Sequence, residues 1–555
     1  MIAIRWLLMV MIVAVPMHAY SQTINQDADL ILAHGKLFGV ADKSADSIAI
    51  KDNRIVAVGG FDQIVQLHPR SKIIEAAGAT ITPGIHDSHV HFLSGSLSLS
   101  QIELSQADDI DKIEAKIRDF MKAHPDQPVV MGRGWLYGAF PGGLPTKEIL
   151  DRLIPDRPAI MRCYDGHTVW VNSKAIEAAG ITRDTHDPKA GVIVRDAKTG
   201  ELTGVFKESA QNLIEKIIPQ PTRDENLAAL RLGIAHAHRL GITSVCEAGV
   251  GLTELDLLDS LRASGELDLR YAIALEGKPG MTEDDFEQLE SLRSRFPKLN
   301  IQAVKLYIDG VIEAHTAALL NPYTNRDSLG MRETDRADLN RVIGRLDKQG
   351  WQVMVHAVGD GGVRMTLDAM ELAIQQNSTP IKGRRHRLEH IETISQDDIP
   401  RLGKLGILAS MQPYHANPNS NIFNVWAVNL GPERAARAWA WNSIRNSGGL
   451  LAFGSDWPVV SLDPRMGLHV AVTRQTLDGK PEGGFVSAER LKLEPALEAY
   501  TSGAAYAQFA ESNQGSLEVG YLADIVVWDR DLLAEPEKIQ FAKAKYTIFD
   551  GKLVN

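Results

Sequence analysis

Cysteine is scarce in this chain: Cys163 and Cys246 are the only two in 555 residues, and they lie far apart. That excludes a disulfide framework and a Cys-rich zinc site, and leaves room for one bridge at most. Positive charge is outnumbered, with 59 Lys and Arg against 70 Asp and Glu. A formal net charge of -11 argues against nucleic acid or an anionic membrane as the main partner. No Gly-rich dinucleotide loop follows a strand-like run, which weakens the case for an open doubly wound sheet. Any metal must therefore be held by His, Asp, Glu or a modified Lys.

The first apolar stretch, Trp6 to Val15, is too short to span a bilayer comfortably. Arg5 precedes it, and Ala19-Tyr20-Ser21 follows with small residues at the positions a signal peptidase needs. Residues 1–21 thus read as a signal peptide cleaved between Ser21 and Gln22, with an uncleaved anchor helix as the other reading. No cysteine near the site supports a lipoprotein. The expected destination is the periplasm or the medium, with no stable membrane insertion after cleavage.

What the chain does have is apolar content enough for a large core. Short strand patterns open it, such as Ala28 to Leu32, Ser47 to Ile50 and Arg54 to Val58. Similar ones close it, Ala523 to Trp528 and Tyr546 to Phe549. Residues 22–80 and 510–555 are expected to pair into one small β-sandwich domain. Between them, apolar runs such as Ile242 to Cys246, Ala303 to Ile308, Val353 to His356 and Leu450 to Phe453 alternate with helical patterns. Repeated β-then-α units imply parallel strands, and a closed (β/α)8 TIM-like barrel of roughly 250 residues or more fits in 81–509. Residues 100–205 interrupt the alternation and read as an insertion over the barrel mouth.

The chemistry-bearing pattern starts at Ile81-Thr82-Pro83-Gly84-Ile85-His86-Asp87-Ser88-His89-Val90-His91. In a strand, residues i and i+2 face the same way, so His89 and His91 offer both imidazoles to one point. Lys305 lies mid-strand among apolar neighbours, where a charged ammonium is costly. Burial lowers a lysine's pKa, and the neutral amine can take up carbon dioxide as a carbamate. A lysine that binds a substrate anion or an internal carboxylate is the alternative. His356 ends an apolar run and His390 sits in Arg387-Leu388-Glu389-His390; either alone reads equally as a core histidine. Asp456 follows Ala452-Phe453-Gly454-Ser455, where a helix cap or turn would also use it.

Taken in order, these residues resemble the amidohydrolase superfamily, and within it the amidohydrolase type 3 branch, which includes N-substituted formamide deformylases. The resemblance extends over nearly all of residues 25–555. It includes Asp309-Gly310, His356-Ala357-Val358-Gly359-Asp360, Ser410-Met411-Gln412-Pro413, Gly454-Ser455-Asp456-Trp457-Pro458 and the run Gly515 to Asp524. It implies one metal site of His89, His91 and Asp456. It implies a second of His356 and His390, bridged by N-carboxylated Lys305, with one or two ions, zinc being the expected metal. It implies water activated by metal and aimed at an amide or formamide C–N bond, with Asp456 as general acid and base. Here Leu136-Tyr137 follows Gly134-Trp135 where the family often shows Asp, so substrate contacts do not transfer directly. His167, Trp135, Tyr137 and Tyr414 are the expected substrate-binding residues. The expected partners are a small molecule and, in a homodimer, a second copy of the chain. A lactonase, esterase or cyclic-amide hydrolase on the same site is the alternative, as is a non-catalytic metal-binding protein. A mononuclear deaminase would need Glu at position 359, where this chain has Gly359.

Overall fold

A computed structural model describes residues 27–555, apart from 106, 165, 167, 189–190 and 380–382. The expected signal segment and His167 lie outside the described residues. Eight parallel strands form one sheet in chain order: β1 (Ile85–Val90), β2 (Ile242–Val250), β3 (Arg270–Glu276), β4 (Ile301–Tyr307), β5 (Gln352–Ala357), β6 (Arg387–His390), β7 (Leu408–Met411) and β8 (Leu451–Phe453). The chain just past β8 closes the circle. The Asp456 N–H donates to the His89 carbonyl and the His91 N–H to the Trp457 carbonyl, both at 2.7 Å. The fold is the TIM-like barrel expected from the alternation of patterns.

Two faces of β4 show why the strands sit as they do. Val304 and Leu306 face outward into a large core that includes Val342, Ile343 and Leu346 of the helix Arg336–Lys348. Each such aliphatic side chain contributes about 1.5–3 kcal/mol on burial. Ala303 faces inward, in a plug of Cys246, Ala248, Ala272, Ala274 and Met354 that fills the barrel interior. With a period of two, Lys305 and Tyr307 follow Ala303 on the inner face, one and two layers nearer the mouth. Cys163 and Cys246 are both buried, and no disulfide joins them.

The residues flanking the barrel form two small sheets. One has four strands, in the order Arg54–Gly59, Ser47–Lys51, Leu30–Ala33, Lys72–Glu75. The other has five, in the order Lys36–Leu37, Thr80–Pro83, Ile525–Trp528, Ala544–Phe549, Lys552–Leu553. They share a core in which Leu30, Ile48 and Ile50 meet Ile81, Ile525, Val527 and Ile548, making a β-sandwich. Thr82 lies opposite Val526, so segments more than 440 residues apart pair directly. Thr80–Pro83 then runs through Gly84 straight into β1, which ties the sandwich to the first metal-ligand candidates.

A third sheet, of six strands between Ile102 and Glu208, is the insertion. It has a core of its own, with Trp135, Phe140 and Trp170 packed edge to face. Its Tyr164 reaches Glu313 in the loop after β4, so it sits against the barrel mouth. Among the described residues no helix is long and apolar enough to cross a membrane.

Candidate active site

At the C-terminal ends of the strands, imidazoles converge from β1, the turn after it, β5 and β6. The His89 and His91 rings lie 5.6 Å apart, His89 and His390 5.0 Å, and His356 and His390 4.5 Å. Burial pushes His89 down to about 4 and His356 to about 3, and lowers His390 well below the usual histidine range, so all three are neutral near pH 7. Neutral imidazole is the form that binds metal.

The hydrogen bonds of these rings show which nitrogen is spoken for. His89 Nδ1 lies 2.5 Å from Glu389 Oε2, His390 Nδ1 2.8 Å from Gln412 Oε1, and His356 Nε2 3.2 Å from the Gly310 carbonyl. His356 and His390 each keep one nitrogen for a ligand, and the second nitrogen of His89 has Lys305 Nζ beside it at 3.4 Å, while a carboxylate, amide or backbone oxygen fixes each ring's orientation. Glu389 is itself clamped by Arg387, whose Nε donates to Oε1 at 2.8 Å. Burial raises the Glu389 carboxyl, but Arg387 and His89 outweigh it and hold the group at about 2.

Lys305 completes the layer. Its Nζ is buried, 3.4 Å from His89 Nε2 and 4.4 Å from the centre of the Tyr307 ring. Burial lowers its pKa from the ordinary lysine value. Tyr307 pairs in register with His356, and His356 with Glu389, so these three stand at nearly one height, while Lys305, in register with Met354, lies one layer below them.

Asp456 stands between the two halves. Its Oδ1 is 3.5 Å from His89 Nε2 and 3.4 Å from His91 Nε2; its Oδ2 is 3.8 Å from His390 Nδ1 and 3.7 Å from His415 Nε2. Burial raises its pKa, but His89, His91 and His390 outweigh burial and hold it well below the carboxylate range. Buried Oδ1 has no hydrogen-bond partner. Asp456 and His390 both adopt left-handed backbone, with φ of 62° and 75°, a strain that persists where the surroundings enforce it. Gly454 allows the close approach. A Cβ there would lie 2.5 Å from the His89 nitrogen and 2.7 Å from Asp87 Oδ1.

Two groups of donor atoms lie within 4.8 Å of one another: His89, His91 and Asp456, and His390, His415 and Asp456. The unpartnered Oδ1 and the imidazoles around it fit a divalent cation. His415 was not singled out from the sequence. It lies four residues past the end of β7, at the barrel mouth where such folds keep their chemistry, and that position was the available signal. Its Nδ1 is 3.5 Å from Glu392 Oε1, its ring is parallel to His390 at 5.8 Å, and its Nε2 makes no hydrogen bond. Glu389 was likewise unmarked in the sequence, being one more residue of a strand.

A cavity of about 260 Å³ opens over these groups, lined by His91, Lys305, His356, His390 and Asp456 and walled by Val311, Val358 and Val459. Tyr414 also lines it. Trp135 and Tyr137 are placed elsewhere. Trp135 is wholly buried in the core of the insertion, its indole N–H donating to the Met161 carbonyl at 2.8 Å. Tyr137 pairs its hydroxyl with Thr168 Oγ1 at 2.7 Å, and it is Leu136 between them that reaches the cavity. The insertion's sheet turns alternate side chains to opposite sides, which spacing alone did not orient.

A closed (β/α)8 barrel with histidines, a lysine and an aspartate at the strand ends defines a metal-dependent hydrolase. The chain belongs to the amidohydrolase family, whose model matches residues 72–555. It is similar to the protein YtcJ of Bacillus subtilis strain 168, at 30% identity over 521 residues, covering 92% of this chain and 96% of that one. The N-substituted formamide deformylase of Arthrobacter pascens is 24% identical over 528 residues, covering 92% and 94%. Among solved structures, an uncharacterized metal-dependent hydrolase from Pyrococcus furiosus superposes with a TM-score of 0.68 at 27% identity, covering 91% of this chain and 99% of that one.

Proposed function

We propose that this chain hydrolyses the non-peptide C–N bond of a small amide or formamide, using zinc held by His89, His91 and Asp456 and by His356, His390 and carboxylated Lys305. The observation that carries this reading is Asp456, whose buried Oδ1 is unpartnered beside two histidines and at the wall of the cavity. A divalent cation bound there supplies Lewis acidity, lowering the pKa of water to roughly 7 and polarising a carbonyl. Asp456 takes the proton of the attacking water and delivers it to the departing nitrogen, since an amine leaves readily only once protonated. Glu389 holds His89 and Gly310 holds His356, so neither ring must reorient during turnover. The relatedness to an N-substituted formamide deformylase supports the bond type. Val311, Val358, Val459 and Tyr414 suit a hydrophobic substituent on the nitrogen.

Zinc quantitation combined with matched amide, formamide, ester and lactone substrates tests the proposal. Turnover of amides or formamides by protein holding one or two zinc ions per chain is expected. Zinc-loaded protein that cleaves only the esters or lactones would overturn the C–N assignment. The same reading places the protein in the periplasm or the medium after loss of residues 1–21. The amino-terminal sequence of protein recovered from those fractions should begin at Gln22.

A further inference from the structure

Several polar hydrogens on the cavity wall are already committed. The Tyr164 hydroxyl donates to Glu313 Oε1 at 2.8 Å, and Asn421 Nδ2 donates to the same oxygen at 3.1 Å. Among the rings at the mouth, His356 Nε2 faces the Gly310 carbonyl, His390 Nδ1 faces Gln412 Oε1, and His415 turns Nε2 toward Asp456. The hydroxyls of two further wall residues, Tyr307 and Tyr414, form no hydrogen bond with any described residue.

These two phenols differ in depth. Burial pushes both up to about 12; beyond burial, Asp456 is the carboxylate that acts most on Tyr307, and Asp463 the one that acts most on Tyr414. Tyr307 ends β4 on its inner face, in register with His356. Its ring centre lies 4.4 Å from Lys305 Nζ and 5.6 Å from the His356 ring. Its oxygen lies near Gly249 at the end of β2, where an added Cβ would be 3.5 Å away, so no side chain at that position covers it. The ring is thus held by two of the metal-ligand candidates, and its hydroxyl is left uncommitted beside them.

Hydrolysis of an acyl group puts charge on the carbonyl oxygen. As the oxygen of water bonds to the carbonyl carbon, the π electrons of C=O move onto the carbonyl oxygen. They return when the bond to the leaving group breaks. In a cavity walled by Val311, Val358 and Val459, that charge needs a donor already in place. A phenol holds its proton through the neutral range and can donate a hydrogen bond without transferring it.

We propose that Tyr307 is a catalytic residue, its hydroxyl donating a hydrogen bond to the carbonyl oxygen of the substrate as that oxygen gains charge. This rests on the hydrolase reading above, through attack at a carbonyl, and not on the C–N bond.

Tyr307→Phe removes the hydroxyl and keeps the ring against Lys305 and His356. The zinc-loaded full chain, with and without the substitution, is assayed on the matched amide, formamide, ester and lactone substrates. The expected loss is about 10²–10³-fold in kcat on every substrate that the wild type cleaves, with KM little changed. Zinc content and melting temperature should stay as they are. Unchanged kcat would overturn the proposal. So would zinc lost in step with activity, because the hydroxyl would then act through the metal site. Formamide cleavage undiminished in the variant removes the tyrosine's role and leaves the C–N reading standing. Cleavage of esters alone, lost in the variant, does the reverse. Calorimetric titration with trifluoromethyl hexyl ketone, whose hydrate mimics the tetrahedral adduct, gives a readout independent of turnover. Binding weaker by about 10-fold or more in the variant is expected. Equal binding by the two proteins, or none by either, would overturn the proposal.

Discussion

The two ends of the barrel both bury histidine beside aspartate, yet they treat the pair differently. At the N-terminal end, His386 Nδ1 accepts the Val353 N–H at 3.1 Å and its Nε2 lies 3.0 Å from Asp347 Oδ1. Asp347 also accepts from Arg384 Nε at 2.8 Å and Asn377 Nδ2 at 2.9 Å, which leaves neither carboxylate oxygen idle. At the mouth, Asp456 Oδ1 and His415 Nε2 are buried with no hydrogen bond, and Asp456 and His390 hold positive φ. Even there Asp309 is fully used, accepting the N–H groups of Ala318, Val358 and Gly359 at 2.8, 3.0 and 2.9 Å. Residue type and burial are thus shared between scaffold and site. What separates these two pairs is whether the histidine and the aspartate are left with bonding capacity unmet.

The sharpest way to break this comparison is Asp456→Asn, which keeps size and burial while removing the proton carrier. It should lower kcat/KM by about 10²–10⁴-fold with little change in melting temperature. A large loss of stability with activity intact would make Asp456 a scaffold residue like Asp347. Glu389→Gln tests the support behind His89, and zinc affinity measured against a competing chelator should weaken by about 10–100-fold. Unchanged affinity would restrict Glu389 to buttressing Arg387. His386→Ala probes the opposite end. It leaves Asp347 short of a partner and should cost about 1–3 kcal/mol in denaturant unfolding, with zinc content and kcat/KM unaltered.

A further effect is expected on the pH dependence of stability. Burial holds His89 at about 4 and His356 at about 3, below the 6.5 of an unfolded chain. Below pH 6.5 the unfolded state binds protons that the folded state refuses, so stability rises with pH and is lost as pH falls from 6.5 toward 4. Denaturant midpoints of metal-stripped protein should show that slope, and His89→Gln should flatten it. A midpoint that rises on acidification would contradict neutral, buried rings at the mouth.

Much of this architecture is legible residue by residue. The run Ile81 to His91 reads as a strand with two histidines on one side, and it comprises the end of the sandwich strand Thr80–Pro83, then β1 and the residue after it. Lys305 and His356 lie on strands whose apolar neighbours announce them, His390 ends the short strand Arg387–His390, and Asp456 follows a strand closely. His415 and Glu389 were not legible. Glu389 matters through an ion pair with Arg387 and a bond to His89, 300 positions away, and no local pattern encodes either. Trp135 read as a pocket aromatic because a strand-end tryptophan and a core tryptophan look alike in a sequence.

The sequence by itself determined the order and type of the elements and which histidines, lysine and aspartate fall at strand ends, because those follow from periodicities of two and 3.6 along a single segment. The tertiary structure alone decided which of their atoms are left without partners. That depends on barrel closure, which brings Asp456 of the last strand's turn against His89 of the first and sets Asn421 against Glu313 and the insertion. Unmet valence is a property of the packed assembly, and no window along the chain contains it.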